Sequence, residues 1–367
     1  MQKTAKKPLT DRIKSYSINV LETGFIKRIA QIKRGEMRMP SIREVAKLAQ
    51  VSPATVSRVI NGTAKVDDEK RKRVLNVISE TGFVPNEVAR SLFKKSAKII
   101  GLILPTIENP FFTQLASVIE QTADEYGYRL VLCNTNDQPE KERAAFSMLA
   151  SMNADGIILT TNNEETYECV SQCPIPVVIT DRGIGTEAWA GYIHSDHYEG
   201  GRLAAQHLID CGCQNIVCIR GPVEISSARD RYEGYQRVCQ ENHRKEQVID
   251  CSYDFEQGLK VTETLLERFP DVDGIIACND MVAISVYKVL HSKGIRVPED
   301  IQLIGYDDIR LSVLMTPELT TIAQPVDKIG RKAAELIIRG DNHDNPKEFI
   351  FEAKLIQRDT TKLKGVI

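Results

Sequence analysis

From Lys98 onward, short runs rich in Ile, Val and Leu recur along the chain: "KIIGLILP", "YRLVLCN", "DGIILTT", "PVVITD", and then "NIVCIRG", "DGIIACND" and "IQLIGYDD". Each is nearly continuous in its apolar residues rather than alternating, the pattern of a strand buried on both faces, and helical stretches separate them. A parallel sheet covered by helices follows, and because the runs fall into two groups, two such lobes are expected. Upstream of Lys98 the period changes. In "SIREVAKLAQ" the apolar residues Ile42, Val45, Ala46 and Ala49 repeat at helical spacing behind Ser41, with Glu44 three residues on in a capping-box arrangement. After a break at Gln50-Val51, Ser52 can cap and Pro53 can open a second short helix to Ile60. "DDEKRKRVLNVISETG" then reads as a third helix, with acidic residues at its start and Gly82 at its end.

Two short helices joined by a tight turn make a helix-turn-helix. The second must bury Val56, with Val59 or Ile60 behind it, against the first, which leaves Pro53, Ala54, Thr55, Ser57, Arg58 and Asn61 facing outward. Short or hydrogen-bonding side chains are what a helix lying in a major groove requires; Arg58 can fork onto a guanine and Ala54 can meet a thymine methyl. Ser41 and Ser52, at the two helix starts, complete the candidate DNA contacts in this head. "FVPNEVARSLFKK" follows, with Asn86 as cap and only about seven helical residues, too few to hold a helix alone in water.

"REVAKLAQVSPATVSRVING", "GFVPNEVARSL" and "IGLILPTIENPFF" together resemble the lactose/galactose repressor family of bacterial transcription regulators, from Met39 to nearly the C-terminus. The resemblance implies an all-α helix-turn-helix DNA-binding head on an α/β periplasmic-binding-protein-like core of two doubly wound parallel-sheet lobes. The domains it implies are a head over 39–84, a hinge helix and linker over 85–97 and a two-lobed effector-binding and dimerisation domain over 98–367. It also makes the fourth short segment a hinge helix that pairs with its twin from a second subunit. Leu92 would then enter the minor groove, with Ala89 and Arg90 beside it, and unstack a base step. Residues 1–38 have no counterpart in the family; they are either a basic arm or the product of a misassigned start, since Lys33-Arg34-Gly35-Glu36 before Met37 and Met39 can be encoded by a purine-rich ribosome-binding sequence.

Ligands of open α/β sheets bind beyond the carboxyl ends of the strands. The polar and aromatic residues there are Asn109 with Phe111 and Phe112, Thr160 and Thr161, Asp181 with Arg182, Ser195 and Asp196, Arg229 with Arg231, Phe255, Asn279 with Asp280, Tyr306 with Asp307, and Gln324. Carboxylates, amides and guanidinium groups beside aromatic rings suit a sugar, whose hydroxyls donate and accept while its C–H faces lie on rings. "NPFF", "TDR", "ARDR", "YDF", "CND", "GYDD" and "IAQP" are, moreover, similar to the pocket of ribose-responsive repressors and periplasmic ribose-binding proteins. That resemblance assigns the effector to Asn109, Phe111, Phe112, Asp181, Arg182, Arg231, Phe255, Asn279, Tyr306, Asp307 and Gln324. One departure is "TTNN", which puts Thr160 or Thr161 where a ribose site offers Asn.

Charge sharpens the division between head and body. Residues 1–38 carry 10 basic and 3 acidic side chains and residues 39–98 carry 12 and 6, whereas the rest carries 26 and 41. A basic head on an acidic body fits a polyanion partner for the head alone. The nine cysteines form no CxxC pair and read as reduced packing residues, and "HSDH" reads as a strand end with the loop after it rather than as metal ligands. No apolar run of membrane-spanning length or secretory signal is present, so a cytoplasmic protein without a membrane partner is expected. Neither a nucleophile nor a phosphate loop accompanies the carboxylates, so neither an enzyme nor a cofactor is expected. The partners expected are operator DNA, a small sugar effector (ribose or a related pentose) and a second copy of the chain. A catabolite-control regulator whose effector is a phosphorylated carrier protein is the alternative within the family. The C-terminal "KLIQRDTTKLKGVI" lacks an apolar heptad pattern, so no tetramer-forming coil is expected.

Overall fold

In the computed structural model the described residues are 40–62, 65–83, 96–183, 190–340 and 348–363. They belong to two units, Met1–Arg90 and Ser91–Ile367. The first contains helices α1 (Ile42–Leu48), α2 (Pro53–Asn61) and α3 (Asp68–Thr81). Ser41 and Glu44 form the reciprocal capping box at the start of α1. Ser52 caps α2 and Asp67 caps α3, and both helices end on a glycine in the left-handed region, Gly62 (φ 64°) and Gly82 (φ 65°), where a Cβ is unfavourable. Val45, Ala46, Ala49, Val56, Val59, Val74 and Phe83 close into one buried cluster. Ile60 packs only at its margin, so α2 is held by Val56 and Val59. The side chain of Asn61, the hinge candidates Ala89, Arg90 and Leu92, and residues 1–38 lie outside the described residues.

In the second unit the apolar runs become β1 (Ile99–Leu104), β2 (Arg129–Asn134), β3 (Gly156–Leu159), β4 (Val177–Thr180), β6 (Ile216–Arg220), β8 (Gly274–Ile276) and β9 (Gln302–Asp307). The structure adds β5 (Gly191–Ser195), β7 (Val248–Asp250), β10 (Thr320–Ala323), β11 (Glu348–Phe351) and β12 (Lys354–Ile356). These were not legible as apolar runs because they are short, Thr-rich or edge strands or, in β5, mix one Ile with Gly, Tyr, His and Ser. Two six-stranded sheets result, ordered β11-β5-β4-β3-β1-β2 and β12-β10-β9-β8-β6-β7. All neighbours are parallel except the antiparallel pair β10–β12.

Helices cover both faces of each sheet. On the first, Ile100, Leu102 and Leu104 of β1 face α4 (Pro110–Glu125) and α11 (Val326–Arg339), while Ile103 faces α5 (Pro139–Ser151) and α6 (Tyr167–Ser171). On the second, α7 (His197–Asp210) and α8 (Ser226–Glu241) pack on one face, α9 (Phe255–Arg268) and α10 (Asp280–Ser292) on the other. The lobes are not simply successive halves of the chain: α11 and β11 return to the first lobe, and β12 goes back to the second. The chain therefore passes between lobes three times, after Ser195, after Ala323 and after Phe351. Hydrogen bonds lock these crossings together: Ser195 Oγ donates to Gln324 Oε1 at 2.8 Å, and the Asp196 N–H to the Phe351 carbonyl at 2.8 Å. "HSDH" correspondingly ends β5 and caps α7, so His197 is a helical residue rather than part of a loop.

Candidate functional site

Between the lobes lies a cavity of about 240 Å³ lined by Asn109, Phe111, Phe112, Asp181, Arg182, Ser227, Arg231, Tyr253, Asn279, Asp307 and Gln324. Its walls are made where strands end and helices begin. Asn109 caps α4 by accepting the Phe111 N–H at 3.0 Å, and this sets Phe111 and Phe112 edge to face, ring centroids 5.2 Å apart. Asn279 caps α10 through the Val282 N–H (2.8 Å) and donates from Nδ2 to the Tyr253 carbonyl (3.2 Å). Gln324, on a crossing segment, donates from Nε2 to Asp307 Oδ1 at 2.8 Å.

Two carboxylates and two guanidinium groups share this small space. Arg231 Nη2 lies 3.5 Å from Asp307 Oδ1, and Arg182 Nε lies 3.6 Å from Asp181 Oδ2, too long for a hydrogen bond. The Arg182 guanidinium stands between the ring of Phe112 (5.4 Å) from one lobe and that of Tyr253 (5.8 Å) from the other. Burial would raise the pKa of Asp181, but His197, Arg182 and Arg231 outweigh it and bring the carboxyl to about 2. Burial wins at Asp307, which rises to about 6 although Arg231 and Gln324 pull the other way. Both aspartates hold positive φ, 64° and 111°, and the second is a strained conformation for a residue with a Cβ. Among the described residues three buried side-chain atoms have no hydrogen-bond partner: Asp181 Oδ1, Arg182 Nε and Tyr253 OH. All three belong to residues lining this cavity. Buried polar atoms are rarely left unpaired, so a polyhydroxylated ligand would satisfy a demand already present in the site.

Of the eleven effector candidates named from the sequence, nine line the cavity and two do not. Tyr306 is buried among the apolar residues of α7 and α8, with the Arg231 guanidinium 3.6 Å above its ring, so it supports the wall from behind. Phe255 opens α9 and turns towards α10, where Lys288 Nζ lies 5.4 Å from its ring. Tyr253, two residues earlier, takes the place expected of it, because β7 ends at Asp250 and brings the following loop to the cavity. Ser227 was not anticipated either; it sits in the first turn of α8, on the same side of the lobe as Arg231.

Other strand-end residues have structural partners. Thr160 pairs with Thr180 (2.8 Å) and Thr161 donates to buried Glu142 (2.9 Å), so Thr160 and Thr161 of "TTNN", the departure from a ribose site, lie away from the cavity. Asn162 instead accepts from Arg182 Nη1 at 3.3 Å. Asp196 caps α7, and Arg229 donates to the carbonyls of Val223 and Glu224. Asp280 is fully buried and accepts from the Ile309 N–H, Ser312 and Thr321.

The head presents a second candidate surface. Pro53, Ala54 and Arg58 are exposed on α2, while Thr55 and Ser57 are half-buried. Ser52 and Thr55 hydroxyls lie 2.9 Å apart, bonded to each other at the start of the helix, and Ser41 holds the N-terminus of α1. Arg58 is the one basic residue that α2 carries, and α2 has no acidic one.

Residues 97–359 match the family described as periplasmic binding proteins and sugar binding domain of LacI family, and residues 41–86 match bacterial regulatory proteins, lacI family. The chain is 41% identical over 326 residues to the ribose operon repressor of Halalkalibacterium halodurans, a match covering 88% of this chain and 98% of that one. Among solved structures, a periplasmic binding protein/LacI transcriptional regulator from Alkaliphilus metalliredigens complexed with D-xylulofuranose is 35% identical, with a TM-score of 0.66 over 72% of this chain and 99% of that one. A LacI family regulator from Enterococcus faecium with bound ribose is 25% identical, with the same TM-score and the same coverage. Likeness to repressors thus runs through both the helix-turn-helix and the two lobes, and the chain belongs to the LacI family of bacterial transcription regulators, as a transcriptional repressor and not an enzyme.

Proposed function

We propose that this repressor silences a sugar-utilisation operon and is released from its operator by a small sugar, ribose or a related pentose, bound between the two lobes. The three unpaired buried atoms at one small cavity carry this reading: Asp181 Oδ1 accepts from a sugar hydroxyl, whereas Arg182 Nε donates to one. Phe111, Phe112 and Tyr253 offer rings to the C–H faces, and the amides of Asn279 and Gln324 serve hydroxyls of either polarity. Relatives named as ribose operon repressors, and structures holding xylulofuranose or ribose, support a pentose.

The working unit is a cytoplasmic homodimer, because a two-fold operator requires two heads. On α2, Arg58 and Ala54 read bases, with Pro53, Thr55, Ser57 and Asn61 beside them, and Ser41 and Ser52 lie at the helix starts nearest the backbone. Leu92, with Ala89 and Arg90, wedges the minor groove. Sugar closes the lobes, which separates the hinge helices and withdraws Leu92. Mobility-shift assays with the gene's own upstream region, with and without a panel of pentoses, test operator, ligand and sign together. Titration calorimetry that gives no heat with any sugar, but tight binding of a phosphorylated carrier protein, would overturn the sugar reading in favour of a catabolite-control regulator.

A further inference from the structure

His197 stands behind the cavity, buried, at the first residue of α7 and just past the Ser195 crossing between lobes. Its ring touches charged groups of both lobes. Nε2 is 3.3 Å from the backbone oxygen of Asp181 and 3.5 Å from its Oδ1. Nδ1 is 3.4 Å from Arg231 Nε and 3.4 Å from the Tyr306 hydroxyl. An arginine Nε–H can only donate, so Nδ1 must offer its lone pair, and Nε2, facing oxygens, must carry the proton. His194, on β5, is the remaining titratable neighbour, its ring centroid 6.2 Å away. Burial, the largest influence, lowers the imidazole pKa, and Arg231 and His194 add to it while Asp181 opposes.

The chain makes room for this contact. A Cβ on Gly200 would stand 2.1 Å from the Tyr306 hydroxyl, and one on Gly201 2.0 Å from the Arg231 carbonyl oxygen. Two adjacent glycines near the start of α7 therefore let Tyr306 and the α8 backbone close upon His197. Tyr306 in turn lies under the Arg231 guanidinium, whose Nη1 donates to the Cys278 carbonyl at 2.8 Å.

We infer that His197 is a positioning residue for the effector: a neutral Nε2–H imidazole that sets Asp181 of one lobe and Arg231 of the other at the separation a bound sugar requires. It does not line the cavity, and its effect passes through those two side chains. This role rests on the sugar reading of the cavity, which the controls separate from it.

The test is titration calorimetry of the full chain with ribose and related pentoses, for the native protein, His197→Gln and His197→Leu. Glutamine keeps a donor and an acceptor; leucine keeps volume without either. His197→Leu should weaken sugar binding about 30-fold, the scale of losing a hydrogen bond to a charged group, and His197→Gln should restore most of it. Should His197→Leu not fold, ¹⁵N spectra of histidine-labelled native protein decide, with the Nε2–H neutral form expected at pH 7. A signal intact in His197→Leu, or a ring that is cationic or protonated on Nδ1, overturns the role of His197 alone. No heat from any pentose with the native protein overturns the sugar reading and, with it, this role.

Discussion

Asp181 and Asp307 face the same cavity but titrate far apart, about 2 and about 6, because His197 and two guanidinium groups surround the first while burial dominates at the second. Asp307 consequently exchanges its proton in an accessible range. If sugar hydroxyls donate to its carboxylate, binding releases that proton, and affinity should fall about tenfold per pH unit below about 6 and level off above it. Calorimetry from pH 5 to 8 in buffers of different ionisation enthalpy measures this, and Asp307→Asn should flatten the profile. The Asp181 pKa is shifted the other way, downward, so its stabilisation of the fold is complete above the ordinary carboxylate range and is lost only as pH falls towards about 2. Both aspartates are legible in the sequence as polar residues ending apolar strands. Tyr253 is not, since β7 has three residues and only a located strand end tells which aromatic of "YDF" turns inward.

Element by element, the head follows local rules closely. Caps at Ser41, Ser52 and Asp67 start its helices, and Gly62 and Gly82 end two of them. Val56 is wholly buried between them, so Val56→Ala should destabilise the head by about 2 kcal/mol for two lost methyl groups, read from urea denaturation followed by circular dichroism. Arg58→Ala should cost more on the true operator than on unrelated DNA; an equal loss on both in fluorescence-anisotropy titrations would place Arg58 on phosphates. In the body, close helix packing adds a constraint of its own. Gly201→Ala would drive a Cβ into the Arg231 carbonyl, backbone against backbone, and should destabilise the second unit by about 2 kcal/mol or more, measured as a lowered urea midpoint.

For the whole molecule, a chain that binds a sugar between its lobes and reads DNA with its head, as proposed, is subject to thermodynamic linkage. On the proposed function, the factor by which the sugar changes operator binding must equal the factor by which operator changes sugar binding. Parallel titrations, of sugar into free and operator-bound protein and of operator into free and sugar-bound protein, should give the same ratio. Operator affinity should also fall steeply with salt, in keeping with the basic head, whereas pentose affinity should barely change.

Much was determined by the sequence alone, because it depends on neighbours within a few positions. Helix starts and stops, the buried face of α2, continuous apolar strands and the polar residues that end them are set by local sterics, capping and period. Tertiary structure decided what long-range pairing controls. It sent α11 and β11 back to the first lobe, so that Gln324 meets both Ser195 and Asp307. It also turned Tyr306 and His197 behind the wall instead of into the cavity, and brought Arg182 of one lobe against Tyr253 of the other. Such contacts join residues from 17 to 129 positions apart, and no local period encodes which of them will meet; the packing of two open sheets about three crossings does.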